Sequence, residues 1–114
     1  MVIAKKTKRY DFQRMTKSIE TRIPREMYPD RIGARLRLIR EAHGYKPAEM
    51  ADLLGIERTY WSRFEGGKRA VSDEVAYLLT VKFGITLDFL LLGHWDKLPL
   101  DVAEKLRAFE SSKA

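Results

Sequence analysis

The 114-residue chain contains no cysteine and two histidines. The missing cysteines exclude disulfides and cysteine zinc sites and agree with a reducing compartment. His43 and His94 stand far apart, without the His-x-x-x-His spacing of a helical metal site, so no metal is expected. No apolar run approaches the ~18 residues of a membrane span. Residues 1–4 are apolar but are followed at once by Lys5 and Lys6, the reverse of signal-peptide order, so the expected location is the cytoplasm, with no membrane contact. No Ser, His and Asp arrangement has a recognisable spacing, no glycine-rich loop follows a strand, and no paired carboxylates stand out from surface charge. The chain therefore reads as a non-enzyme with no catalytic residues and no cofactor.

With a hydrophobic content of 45%, the chain is expected to form one small domain around one core. Charge is unevenly spread. Met1 to Pro29 carries eight Lys or Arg against three acids, whereas Asp30 to Ala114 carries fourteen against thirteen, so most of the net +6 lies in the first segment. Residues 1–29 read as a basic, mobile, solvated extension. Two alternatives stand beside that reading. One is an arm tracking DNA phosphate or a minor groove. The other is a short helix carrying Phe12, Met15 and Ile19 on one face.

From residue 30 the periodicity is helical throughout. Asp30, after Pro29, is the expected N-cap of a first helix that runs to about Ala42 and closes at Gly44, with Ile32, Leu36 and Ile39 facing inward. Arg35, Arg37 and Arg40 occupy its other positions. Pro47 suits the first turn of a second helix, because the N–H it lacks would be unpaired there. Met50, Ala51 and Leu54 share one face of that helix, and Gly55 can take the positive φ that stops it. A third helix follows directly. Ile56 anchors the turn and Trp61 and Phe64 point inward, leaving Arg58, Thr59, Ser62 and Arg63 on another stripe. Two short helices crossing over a tight turn need a small residue where they touch, and Ala51 supplies it. An Arg fork can pair with O6 and N7 of guanine, and a Thr can meet thymine through its hydroxyl or methyl. Trp61 falls at a core position and is read as structural, not as a stacking platform for single-stranded bases.

The pattern of Ala51 and Gly55 four apart, with Met50, Leu54, Ile56, Trp61 and Phe64 and then Glu65-Gly66-Gly67-Lys68-Arg69, resembles the Cro and phage-repressor (xenobiotic response element) helix-turn-helix family. The resemblance covers roughly residues 32 to 93. It implies an all-α, five-helix repressor-like domain over 30–93, between the basic extension of 1–29 and a C-terminal segment of 94–114. It also implies that Arg58, Thr59, Ser62 and Arg63 read bases, and that Tyr60, Lys68 and Arg69 meet the DNA backbone, where Lys46 is expected to join them by its own charge. By the same resemblance, Arg40 and Glu65 form a structural ion pair. The chain departs from the family pattern at Lys46 and Pro47, where relatives commonly carry Ser and a phosphate-binding Gln. Pro47 removes an amide side chain and a backbone donor, and Lys46 offers a point charge instead. Glu57 opens the third helix as an unusual cap, able to accept from cytosine N4 or to favour the helix N-terminus.

Gly66 to Arg69 reads as a flexible basic loop. Beyond it, Ser72 is the expected cap of a fourth helix with Val75, Ala76, Leu78, Leu79 and Phe83, stopping at Gly84. Thr86 caps a fifth, Leu87 to Leu92, ending at Gly93. Its apolar residues cover nearly the whole circumference of a short helix, so its outer side should meet something. A second copy of the chain is one candidate, with Phe89, Leu91, Leu92 and Trp95 as the interface. The chain's own tail is the other, since Trp95, Leu98 and Leu100 can fold back before a helix from about Pro99 with Leu100, Ala103, Leu106 and Phe109 recurring every three residues. The two together are expected, the tail completing the dimer surface.

The sequence thus points to a homodimeric regulator that binds double-stranded DNA sequence-specifically at a pseudo-palindromic operator. Repression by occluding polymerase is expected, since these 114 residues hold no room for a ligand-sensing domain. The alternatives are an antitoxin-like autoregulator that also binds a protein partner, and an interaction module that kept the fold without binding DNA.

Overall fold

The computed structural model describes residues 23–113. Among them are six α-helices, α1 (Pro29–Ala42), α2 (Pro47–Leu54), α3 (Arg58–Glu65), α4 (Asp73–Phe83), α5 (Leu87–Leu92) and α6 (Leu100–Ser112), with single 3-10 turns at Arg25–Met27 and Trp95–Lys97 and no strand. Of the basic extension, residues 1–22 lie outside the described residues, and so does the Phe12, Met15 and Ile19 helix.

Each helix begins and ends for a local reason. Ser72 Oγ accepts the Val75 N–H at 3.2 Å and Thr86 Oγ1 accepts the Phe89 N–H at 3.2 Å, capping α4 and α5 as expected. The start of α1 differs from the expectation. Asp30 is not its cap: the helix begins two residues earlier than that cap would place it, with Pro29 in the first turn and Tyr28 as an extended cap residue. Proline's fixed φ fits that first position, and Asp30 then sits where a carboxylate favours the helix N-terminus. Gly55, at φ 68°, ends α2 in the left-handed region and lets the Ile56 N–H return to the Ala51 carbonyl at 3.0 Å. That bond sets the short turn into α3.

The core is shared by all six helices. Ile32, Leu36 and Ile39 of α1 meet Met50, Ala51 and Leu54 of α2, Trp61 and Phe64 of α3, Val75, Ala76 and Leu79 of α4, and Phe89 and Leu90 of α5. Leu98 and Leu106 join the same cluster, so the segment after Gly93 packs as part of one core. At the α1–α3 crossing the small residue is Gly33, because a Cβ there would lie 2.5 Å from the Glu65 carbonyl oxygen and 2.8 Å from that of Phe64. Glycine in a helix interior costs about 1 kcal/mol relative to alanine. Here it is what lets α3 approach α1.

The packed chain also extends further towards the N-terminus than residue 30. The turn at Arg25–Met27 lies against α1 and α5, and Arg35 ties it down. Arg35 Nε donates to the Leu90 carbonyl at 2.7 Å, Nη1 to Glu26 Oε1 at 3.1 Å, and Nη2 to the Glu26 carbonyl. Arg35, placed by the sequence only outside the inward stripe of the first helix, is therefore a clasp.

Two expected contacts are corrected. Phe89 is not available to a partner: it is fully buried in its own chain, edge-on to Trp95 with ring centroids 4.9 Å apart. Trp95 is in turn covered by the Arg107 guanidinium of α6, 4.1 Å from its ring centroid. The Trp95–Lys97 turn, itself capped by Arg107 of α6, thus lies against the fifth helix, leaving Leu91 and Leu92 half-buried. Leu100 is the second correction, being 74% exposed at the first position of α6 while Leu106 takes the buried place.

Candidate nucleic-acid interface

The inner side of α3 determines how its outer side is presented. Trp61 and Phe64 sit in the core, and Glu65 is drawn inward by three donors. Arg40 Nε reaches Glu65 Oε2 at 2.9 Å and Arg40 Nη2 reaches Oε1 at 2.7 Å, while Trp61 Nε1 donates to Oε2 at 2.5 Å. The third arm of Arg40, Nη1, donates to the Tyr45 carbonyl at 2.9 Å. One guanidinium therefore joins α1, the α1–α2 loop and the end of α3. The Glu65 hydrogen bonds push the Arg40 guanidinium above its ordinary value despite the opposing effect of burial, so the guanidinium stays charged. No buried side-chain nitrogen or oxygen among the described residues lacks a partner.

With one side so held, the other side of α3 projects Arg58, Thr59, Ser62 and Arg63 into solvent together. Tyr60 is 39% exposed at the edge of this face, with the Arg69 guanidinium 5.0 Å from its ring centroid. That stacking is of cation–π type and gives Arg69 a preferred position. Tyr60 and Arg69 border a groove of about 450 Å³ floored by Ile56, Phe64 and Val75.

The basic loop after α3 is more ordered than its glycines suggest. The Gly66 N–H returns to Ser62 at 2.9 Å and the Lys68 and Arg69 N–H groups both return to the Arg63 carbonyl, at 2.9 and 3.3 Å. Lys68 and Arg69 are accordingly carried as a continuation of α3, and both are exposed.

At the start of α2, Lys46 is exposed and its backbone N–H is taken by Glu49 Oε1 at 2.8 Å. Pro47 shares a shallow cleft of about 200 Å³ with Ser62, Arg37, Glu65 and Gly66. The α2 N-terminus, the middle of α3 and an arginine of α1 thereby border one surface. Arg37, to which the sequence assigned no role, is 62% exposed beside it. Its helical spacing from Ala34 and Glu41 gave no signal of that position, which depends on where α2 lands.

Arg58 differs from its neighbours in being engaged. Its Nη2 donates to Asp52 Oδ2 at 2.9 Å and its Nε to Oδ1 at 3.3 Å, both side chains remaining more than half exposed. The Arg58 hydrogen bonds hold the Asp52 carboxyl below its usual range.

Known proteins agree with this architecture. A family described as a helix-turn-helix domain matches residues 31–87, half of the chain. A prophage-derived protein of Bacillus subtilis, named as an uncharacterised HTH-type transcriptional regulator, is 36% identical over 69 residues, 60% of this chain and 64% of its own length. A Pyrococcus horikoshii protein named as an HTH-type transcriptional regulatory protein is 45% identical over 51 residues, 45% of this chain and 16% of its own. One of the same name in Thermococcus kodakarensis is 47% identical over 47 residues, 41% of this chain and 15% of its own. The chain thus spans less than two thirds of each of these relatives. No solved structure matches it. With α2, the Gly55 turn and α3 all inside the matched region, the chain belongs to the helix-turn-helix domain family.

Proposed function

We propose that this protein is a sequence-specific duplex DNA-binding regulator of transcription, with α3 as the helix that enters the major groove. The observation that carries this reading is the division of α3. Its inner residues are pinned by the core and by Arg40, and its outer residues are Arg58, Thr59, Ser62 and Arg63, side chains whose donors and acceptors suit base edges. Lys46, Tyr60, Lys68 and Arg69 border that face and would meet phosphate. Phosphate contacts fix orientation and base contacts supply specificity, so the two sets have separate roles.

Repression by occlusion is the mechanism proposed, because a helix laid in the groove already excludes polymerase from the same DNA. The proposed form is a homodimer on a pseudo-palindromic operator, with the half-buried Leu91 and Leu92 and the 47%-exposed Leu87 of α5 in the contact. A second reading, an autoregulator that also binds a protein partner, is favoured by Tyr77 and Val81, one turn apart on α4 and 64% and 63% exposed.

Selection of bound sequences from a random duplex pool at physiological salt tests the proposal. A pseudo-palindrome bound at least ~10³-fold more tightly than a scrambled control is the expected outcome. Absence of enrichment, or binding that disappears with salt regardless of sequence, would overturn it in favour of a protein partner.

A further inference from the structure

Arg58 stands at the first position of α3 and Asp52 in the last turn of α2, on opposite sides of the Gly55 turn. Asp52 engages Arg58 through Nε and Nη2, which is the side-on edge of the guanidinium. Arginine has five N–H donors in a fixed plane. Using the side-on edge leaves the end-on edge, with one hydrogen on Nη1 and one on Nη2, pointing away from the carboxylate. That remaining edge has the two parallel donors that match guanine O6 and N7. We infer that Asp52 is a positioning residue that orients Arg58 as a guanine reader and thereby sets the preference at one base pair of each half-site.

The inference deepens the DNA-reading function proposed above and rests on it. Two physical consequences separate it from a mere surface ion pair. An arginine without a support keeps many rotamers and can turn to any nearby phosphate, so holding it favours base over backbone contact. The carboxylate also brings a negative charge close to where phosphates would pass, which weakens binding to every sequence alike. Asp52 therefore lowers general affinity while raising discrimination. Exposed ion pairs correspond to at most about fivefold in an equilibrium, which bounds the expected effect.

The test is a base-preference profile of the full chain at physiological salt for the wild type, Asp52→Ala, Asp52→Asn, Arg58→Ala and the double variant Asp52→Ala/Arg58→Ala. Affinity for scrambled duplex is measured alongside. In Asp52→Ala the preference for guanine at one base pair should fall by about three- to fivefold while affinity for scrambled duplex rises. The base pair should be the one that Arg58→Ala relaxes, and the double variant should lose no more preference than Arg58→Ala. Asp52→Asn, with one acceptor oxygen in place of two, should fall between the wild type and Asp52→Ala. Both residues are exposed, so thermal unfolding should change little and a folding defect is distinguishable. A wild-type preference that Asp52→Ala leaves untouched, with affinity raised equally for all sequences, overturns the inference alone. A wild type with no base preference overturns the DNA-reading function and this inference with it.

Discussion

On its inner side α3 turns Trp61, Phe64 and Glu65 into an environment where partners are already chosen; on its outer side Arg58, Thr59, Ser62 and Arg63 meet water. Eight residues serve both sides. The inner side is held by packing and by a charge pair of low exposure, whose loss leaves an orphaned ion. The outer side contributes little to stability because exposed groups exchange one set of hydrogen bonds for another. Changes on the inner side should therefore appear in folding, and changes on the outer side in binding.

The sharpest way to break that division is Glu65→Ala. It leaves the Arg40 guanidinium buried without its carboxylate and Trp61 Nε1 without its acceptor. A loss of about 3–5 kcal/mol is expected from removing one partner of a buried pair, read by urea or thermal unfolding. A loss below ~1 kcal/mol would place the pair among surface ion pairs. Gly33→Ala should come next, at about 1–3 kcal/mol, because its Cβ would press on α3 backbone that cannot move without shifting the whole helix.

On the outer side, Arg63→Ala should weaken the selected operator by about 1–3 kcal/mol and relax preference at one base pair, with unfolding unchanged. Lys68→Ala should weaken all sequences alike and reduce the salt slope by about one. Equal losses on specific and random duplex for Arg63→Ala would remove it from the base-reading set.

The smallest expected effect is in pH. Burial pushes the His43 imidazole below its ordinary value of 6.5, opposed by its Nδ1 contact with the Ile39 carbonyl and reinforced by Lys105 of α6. The unfolded chain then takes up the proton first as pH falls. Stability should be fully present above 6.5 and decline through and below that value. His43→Gln should flatten the decline. Glu41, held low first by its hydrogen bond from Lys113, adds a second decline only below its ordinary 4.5.

Periodicity and capping made most of the helical order legible in the sequence. Ser72, Thr86, Gly55 and Gly84 act within one turn of themselves, and the stripes of α1 to α5 report which face is apolar. Most of the exceptions are contacts between distant residues, and Asp30 is a local one. Asp30 looked like a cap because its chemistry suits one, yet Pro29 ahead of it had already started the helix. Phe89 looked available to a partner because an apolar circumference does not say which neighbour covers it. The Arg40–Glu65 pair was foreseen through the family resemblance, but the addition of Trp61 and Tyr45 to it required coordinates.

Local chemistry was enough to establish six helical segments, their boundaries to within a residue or two, and an α3 with one apolar and one polar stripe, since helix signals act over three or four residues. The Gly33 crossing, the Arg35 clasp, the cover of Trp95 by Arg107 and the Asp52–Arg58 support arise from the way those segments meet. Each joins residues from different elements, and their distances follow from the packing of one shared core.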